Sequence, residues 1–167
     1  MSNLATYSPE DVIILLGGVY KIEGLAEGSF ISIVKNESAY KTTSTADGKV
    51  SRTKSEDRTH TVKITLSSFA DSNLVFTAMA EADGFLHSAV IPFFMKDGLG
   101  TTTFYAPMCW IEQVSDVTLA DGITGREWTL RTAGGVLAVG GNESGPVVDT
   151  NLATLGFIAG DFAGLFN

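Results

Sequence analysis

The chain has 167 residues and a mass of 17.7 kDa, which is the usual size of one domain. Hydrophobic residues make up 44% and charged residues 18%, so the chain can bury a core and global disorder is excluded. The net charge of −8 and the pI near 4.6 argue against a protein that reads DNA sequence, because its surface would repel phosphate backbones.

The first predicted element is a hairpin. Its strands are residues 12–16 and 19–22, and the Gly17-Gly18 pair between them suits a two-residue turn. A second hairpin is predicted from residues 30–35 and 40–45, which are rich in β-branched and aromatic residues. No stretch is long and apolar enough to cross a bilayer as a helix, so we predict no membrane insertion.

Residues 46–59 are predicted to form a long exposed loop. Val50 is their only large aliphatic residue, and seven side chains are charged, so the segment cannot bury itself. Two interpretations stay open for it. It is either an ordinary surface loop or a docking arm. Because it carries charges of both signs, a second copy of the same chain would suit it as a partner.

Residues 60–66 form the clearest predicted strand, because Val62, Ile64 and Leu66 alternate with polar residues. We place His60 on the polar side of this strand. Further strands are predicted at residues 89–95, 101–105, 109–114 and 126–131. Pro92 lies inside the first of these, so that strand is expected to be bulged or to lie at an edge of the sheet.

One helix is predicted, over residues 72–82. Asp71 or Ser72 would cap its N-terminus and Gly84 would stop it. One helix among many strands indicates an α+β or mainly β domain, which we assign to residues 1–141.

Residues 142–167 form a separate apolar segment that begins after a glycine-rich break. It is too apolar for a solvated linker. Two interpretations stay open: the segment packs on its own domain, or it is an arm laid on a neighbouring subunit. Its candidate contact residues are Leu152, Leu155, Phe157, Phe162 and Phe166.

Residues that could do chemistry are few. Cys109 is the only cysteine, and His60 and His87 are the only histidines, so no internal disulfide and no zinc-type spacing is present. We interpret Cys109 as a small buried hydrophobe and both histidines as structural or solvated. No phosphate loop or catalytic triad is found. We therefore expect no enzyme, no cofactor and no metal site.

Several segments, in their order between residues 6 and 141, point to one family. The most specific are Asp47-Gly-Lys-Val-Ser-Arg52 and Arg126-Glu-Trp-Thr-Leu130. This succession resembles the tail tube proteins of contractile-tailed bacteriophages, which are related to the tubes of type VI secretion and pyocins. The resemblance implies the phage tail tube fold, which is a mainly β domain, sandwich-like or barrel-like, with one flanking helix.

The resemblance also implies hexameric rings that stack into a hollow conduit for genome ejection. It implies the same chain, the tail sheath, the tape-measure protein and a baseplate or terminator protein as partners. DNA would cross the lumen without specific binding. The protein would belong to the virion tail and be assembled in the host cytoplasm.

By family position, the loop at residues 46–59 would contact the adjacent ring. The candidate inter-ring residues are Asp47, Lys49, Arg52, Lys54, Glu56, Asp57 and Arg58. Polar positions on strand-like segments give the candidate lumen-facing residues Lys35, Glu37, Lys41, Glu112 and Glu127. A ring would close exposed strand edges, and net negative charge would keep DNA from adhering to the conduit.

Other functions compete with the tube subunit. A tail terminator or another component of the same particle is the nearest alternative, because a terminator can share the tube fold. A β-rich adhesin or carbohydrate-binding module would need an exposed aromatic platform, whereas Trp110 and Trp128 lie on faces that we expect to be buried.

Overall fold

The computed structural model of the chain describes residues 8–141. This part contains ten strands, one α-helix and a short 3-10 turn at Pro9–Asp11. The elements in chain order are β1 (Val12–Leu16), β2 (Tyr20–Lys21), β3 (Ile31–Lys35), β4 (Tyr40–Ser44), β5 (Val50–Lys54), β6 (His60–Ser67), α1 (Ser72–Leu86), β7 (Ile91–Asp97), β8 (Thr103–Gln113), β9 (Gly125–Ala133) and β10 (Val136–Ala138).

Eight strands form one antiparallel sheet in the order β2-β1-β7-β8-β9-β6-β3, with β10 paired to the first part of β8. The sheet is rolled, because Val12 of β1 and Ile31 and Ile33 of β3 line the same cleft although they lie near opposite ends of the strand order. The mainly β fold with one flanking helix is confirmed, and the sheet resembles a barrel that is open along one seam.

The core follows from period-two alternation. Val62, Ile64 and Leu66 of β6 are fully buried, and Trp128 and Leu130 of β9 meet them from the next strand. Since successive strand residues point to opposite faces, the polar residues between these positions lie on the outer face. The first predicted hairpin is also present, but Leu16 lies opposite Tyr20, so its loop has three residues and not the predicted two. Gly17 and Gly18 in this loop both have positive φ.

The helix is longer than predicted. It runs through Gly84 to Leu86 and ends at His87, whose φ of 50° is left-handed and whose N–H bonds to the Asp83 carbonyl. Glycine is tolerated inside a helix at a modest cost, and the stop lies where the backbone turns left-handed. Asp71 precedes the helix as expected, but its side chain makes no capping hydrogen bond.

The second predicted hairpin is wrong. Strand β3 pairs with β6, while β4 pairs with β5, which lies inside the segment predicted to be a loop. The physical reason is that β3 buries part of its inner face against β6, whereas every residue of β4 and β5 is exposed. The prediction that residues 46–59 are largely exposed holds. We call residues 36–59 the arm.

Three local corrections concern strand geometry. The predicted strands at 101–105 and 109–114 are one continuous strand, β8. Pro92 lies in an interior strand and is accommodated by a shift of register between Ile91 and Phe93, so the bulge was the right alternative and the edge was not. His60 is 3% exposed, because it shares the inward register of Val62 and not the polar side that we predicted.

Candidate assembly surfaces

The arm is a two-stranded ribbon that stands apart from the main sheet. Its turn is closed by the Thr45 N–H, which donates to the Lys49 carbonyl at 2.9 Å, and Gly48 supplies the positive φ of 82°. The Arg52 guanidinium lies 4.1 Å from the centre of the Tyr40 ring on the paired strand, a cation–π contact. The arm therefore keeps an ordered shape without a core of its own.

Hydrogen bonds fix the base of the arm to the sheet. The Asn36 N–H donates to the Thr59 carbonyl at 3.1 Å, and the Asn36 side chain bonds Thr59 and Thr61 at 2.7 and 2.6 Å. The Thr59 N–H donates to Asp57 Oδ1 at 2.7 Å, and this bond holds the Asp57 pKa below its usual value. The arm thus leaves the sheet in one direction, where β3 ends and β6 begins.

The arm concentrates the positive charge of the chain. Five of the eleven basic residues lie in the arm, with four acidic ones, so the arm carries 5 − 4 = +1. The rest of the chain has six basic and fifteen acidic residues, or 6 − 15 = −9. The basic residues of the arm are Lys41, Lys49, Arg52, Lys54 and Arg58.

The acidic loops gather at the other end of the sheet. The eight residues of β6 separate its two ends by roughly 23 Å. At the far end, the Ser67 N–H donates to the Gly24 carbonyl at 2.8 Å and the Ser68 N–H to the Thr124 carbonyl at 2.9 Å. These bonds join three loops, residues 23–27, 68–71 and 114–124, which we call the acidic end.

The acidic end contains carboxylates and no basic residue. Its acidic residues are Glu23, Glu27, Asp71, Asp116 and Asp121. Large apolar side chains are exposed among them, with Phe69 at 79%, Leu119 at 86% and Ile123 at 74%. A cleft of about 450 Å³ opens between residues 25–27 and 123–125. Exposed apolar residues rimmed by charge are typical of an interaction surface.

The five candidate lumen-facing residues do not share one surface. Glu112 and Glu127 lie on the outer face of the sheet, on β8 and β9. Lys35 lies on the inward register of β3 opposite His60, but at the exposed end of the strand. Glu37 follows β3 at the base of the arm, and Lys41 belongs to the arm itself.

The two carboxylates on the outer face are paired with cations. Arg131 donates to Glu112 from Nε and from Nη2, the latter at 2.8 Å, and this pairing holds the Glu112 pKa below its usual value. Lys63 Nζ lies 3.1 Å from Glu127 Oε1. Each of these two cations therefore lies beside a carboxylate, so neither presents an unpaired positive charge to a phosphate group.

The seven candidate inter-ring residues all lie on the arm. Two internal ion pairs are long and exposed, with Lys49 and Asp47 3.8 Å apart and Lys54 and Glu56 3.6 Å apart. Exposed pairs of this kind contribute little to stability. These side chains are therefore free to exchange their partners when another surface approaches.

The sheet has open edges at both ends of its strand order. Strand β3 pairs only with β6 in the described part of the chain, and β2 pairs only with β1. Unpaired N–H and C=O groups along such edges favour pairing with another chain. The candidate contacts of the C-terminal segment, from Leu152 to Phe166, lie outside the described residues.

Residues 8–141 contain neither a cluster of metal-binding side chains nor a helix able to span a membrane. Within residues 8–141, no three His, Cys, Asp or Glu side chains lie together in a way that could hold a metal ion. Cys109 is fully buried, as predicted, and desolvation raises the pKa of its thiol to about 12. No helix in this range is long and apolar enough to span a bilayer.

No protein-family profile and no curated protein sequence matches this chain. Among solved structures, the chain is similar to the anti-feeding prophage cap, a tube-terminating cap, with a TM-score of 0.51 and 11% identity over 83% of this chain and 95% of that chain. It is also similar to a chain of the sheath–tube complex of PVC, an extracellular contractile injection system, with a TM-score of 0.53 and 13% identity over 80% and 92%.

The PVC sheath/tube terminator has a TM-score of 0.52 and 11% identity, over 83% of this chain and its entire own length. The sequence predicted that residues 46–59 are exposed but not that they pair with residues 40–44 as a ribbon. It did not predict the acidic end, whose loops are far apart in the chain and meet only after the sheet has formed. The described domain has a fold that also occurs in tube-associated chains of contractile injection systems.

Proposed function

We propose that this protein is a structural tail subunit that forms hexameric rings, and that the rings stack into the inner tube of a contractile tail. The observation that carries this proposal is the separation of charge: the basic arm and the acidic end lie at opposite ends of one rolled sheet. When one end of a subunit complements the opposite end of the next copy, the two copies make a head-to-tail contact. Such contacts continue indefinitely unless the copies close into a ring.

Within a ring, neighbouring subunits would join through the open edges of the sheet. Backbone pairing between β2 or β3 and a neighbouring strand satisfies the groups that a lone subunit leaves exposed. The paired charges on the outer face, Glu112 with Arg131 and Glu127 with Lys63, suit a conduit wall, because DNA finds no cluster of free cations there.

Between rings, the arm would dock on the acidic end of the adjacent ring. The seven inter-ring candidates from Asp47 to Arg58 are then contact residues, and Arg52 and Lys54 are the cations directed at the carboxylates. The proposed partners are further copies of the chain, a sheath, a tape-measure protein and a baseplate or terminator protein. The proposed location is a virion tail assembled in the host cytoplasm, with genome passage through the lumen.

A terminator is the second candidate, and a specific observation favours it. Two of the three similar structures described above are a tube-terminating cap and a sheath/tube terminator. A terminator would form one ring that ends a tube and would not stack on itself.

The deciding experiment is negative-stain electron microscopy of the purified protein at rising concentration, with its mass measured by light scattering. Stacked sixfold rings with a central channel support the tube subunit. Single rings that stay unstacked at every concentration and bind the end of preformed tubes would favour the terminator over the tube subunit. A protein that stays monomeric even when a baseplate fraction is added would contradict both.

A further inference from the structure

The seam of the rolled sheet contains an apolar cleft. It has a volume of about 430 Å³ and lies between the inner side of β3 and the residues of β1, β7 and β10. Its lining side chains are mostly apolar and include Val12, Phe30, Ile31, Ile33, Met95 and Leu137, while Asp97 and Thr102 contribute polar groups. Ile31, Ile33 and Leu137 pack against the core but remain only partly buried. The core is therefore uncovered along this one line.

The described part of the chain ends at the mouth of this cleft. Gly140 lines the cleft, and its N–H donates to Thr102 Oγ1 at 3.1 Å. The Thr101 N–H donates to the Gly141 carbonyl at 3.3 Å. A side chain at Gly140 would collide with Thr101, since an added Cβ would lie 1.6 Å from Thr101 Oγ1. The exit of the chain is therefore fixed beside the cleft.

We propose that the cleft is the docking site of this chain's own C-terminal segment, residues 147–167. Only five residues, 142–146, connect it to the exit, and they reach at most about 17 Å, which covers the neighbourhood of the cleft. The segment has two charged residues, Asp149 and Asp161. Its large apolar residues are Val147, Val148, Leu152, Leu155, Phe157, Ile158, Phe162, Leu165 and Phe166.

The short connection selects the segment of the same chain over that of a neighbour. A tether of this length holds its end at an effective concentration in the millimolar range, which a second copy reaches only in an assembled tube. Docking removes both the apolar walls of the cleft and the apolar segment from water. The segment thereby closes the seam of the barrel within a single subunit, independently of tube formation.

Thiol labelling tests this inference on the full chain at a concentration where light scattering gives a monomer. Cysteine is introduced singly in the cleft wall as Ile33→Cys or Leu137→Cys, and at the exposed acidic end as Val117→Cys for a control. The native Cys109 is fully buried with a pKa raised to about 12, so it does not compete for a water-soluble maleimide.

We expect both cleft cysteines to react at least about tenfold more slowly in the full chain than in the full chain that also carries Phe157→Asp and Phe162→Asp. The reason is that the docked segment must leave the cleft before the maleimide reaches the thiol. Truncation after residue 141 should have the same effect, and the control cysteine should react equally in all backgrounds. If the truncated chain does not fold, the double-aspartate chain decides the question.

Two results would overturn the proposal. Equal labelling of the cleft cysteines with and without the aspartates would show that the segment does not cover the cleft. Protection that is found only at concentrations where the chain self-associates, and not in the monomer, would assign the cleft to the segment of another copy.

Discussion

At the scale of single residues, Asn73 is a buried polar residue in the contact between α1 and the sheet. Its Oδ1 accepts the Trp128 indole N–H at 2.9 Å, and its Nδ2 donates to the Ser67 and Ala70 carbonyls at 2.9 Å each. The bond to Trp128 is buried and the two bonds to the carbonyls are partly buried, so the amide satisfies three polar groups at once. Polar groups buried without partners are costly.

Replacing this amide should therefore destabilise the fold. We expect Asn73→Ala to lower the free energy of unfolding by about 1–3 kcal/mol, because the Trp128 N–H is left buried without an acceptor. Urea denaturation measures the change. Asn36→Ala is the matched control, since its hydrogen bonds are exposed, and it should change stability by no more than about 0.5 kcal/mol. Equal losses in the two variants would contradict this role for Asn73.

His60 should make stability depend on pH. Burial lowers the pKa of its imidazole, the positive charge of Lys35 acts in the same direction, and Asp57 opposes them. The unfolded chain takes up a proton near the ordinary pKa of about 6.5, whereas the folded chain resists it. Since the unfolded state then binds more protons, stability falls as the pH falls below that value.

The measurement is the urea midpoint between pH 7.5 and 5.5. His60→Leu should flatten the decline, because the group that takes up the proton on unfolding is then absent. A decline of the same slope in His60→Leu would assign the pH dependence to other groups.

His60 also shows what alternation can and cannot reveal. Its even-numbered position places it in register with Val62, so the sequence contained the information that it faces inward. Its polarity suggested the other face, and the structure shows that register decides. The alternation of β6 and β9 was predictable because both strands have one buried face.

At the scale of elements, the crossing from β2 to β3 depends on one glycine. Gly24 has a φ of +75°, and an added Cβ would lie 2.4 Å from the Ala70 Cβ. Gly28 lies on the same crossing with a φ of +83° and nothing within 4 Å of an added Cβ. A substitution at either glycine has the same backbone cost, because both have positive φ. The two positions differ only in the room available for a side chain.

We expect Gly24→Ala to destabilise the protein by about 1–3 kcal/mol more than Gly28→Ala, because only the first overpacks the contact with the loop before α1. Both variants lose about 1 kcal/mol to the left-handed backbone. Thermal and urea unfolding measure the difference. Equal effects would show that the loop yields and that the close approach does not constrain the crossing.

The pairing of strands was the least predictable feature of the elements. Residues 30–35 and 40–45 are close in sequence and rich in strand formers, so a local hairpin was the natural expectation. Strand β3 instead pairs with β6, because Ile31 and Ile33 pack against the core there. Local propensity identified the strands, but burial chose their partners, and burial depends on residues distant in the chain.

At the scale of the whole molecule, the net charge of −8 conceals a separation of charge along the sheet. The composition predicted an acidic protein, and the charged segment at 46–59 was visible in the sequence. The acidic end was not visible in the sequence, because residues 23–27 and 114–124 are far apart in the chain. Hydrogen bonds at the end of β6 bring them together. A head-to-tail assembly depends on both ends, so only half of its candidate interface could be read from the sequence.

Charge reversal tests this separation directly. The arm variant, Arg52→Glu with Lys54→Glu, and the end variant, Asp116→Lys with Asp121→Lys, should each form rings that stack poorly, because like charges then face each other across the ring interface. Mixed in equal amounts they should stack again, since each acidic arm meets a basic end and each basic arm an acidic one. Electron microscopy and light scattering measure tube length. Lys96→Glu, which reverses a charge outside the arm and the acidic end, should stack like the unmodified chain. Mixed variants that fail to form tubes would refute docking of the arm on the acidic end.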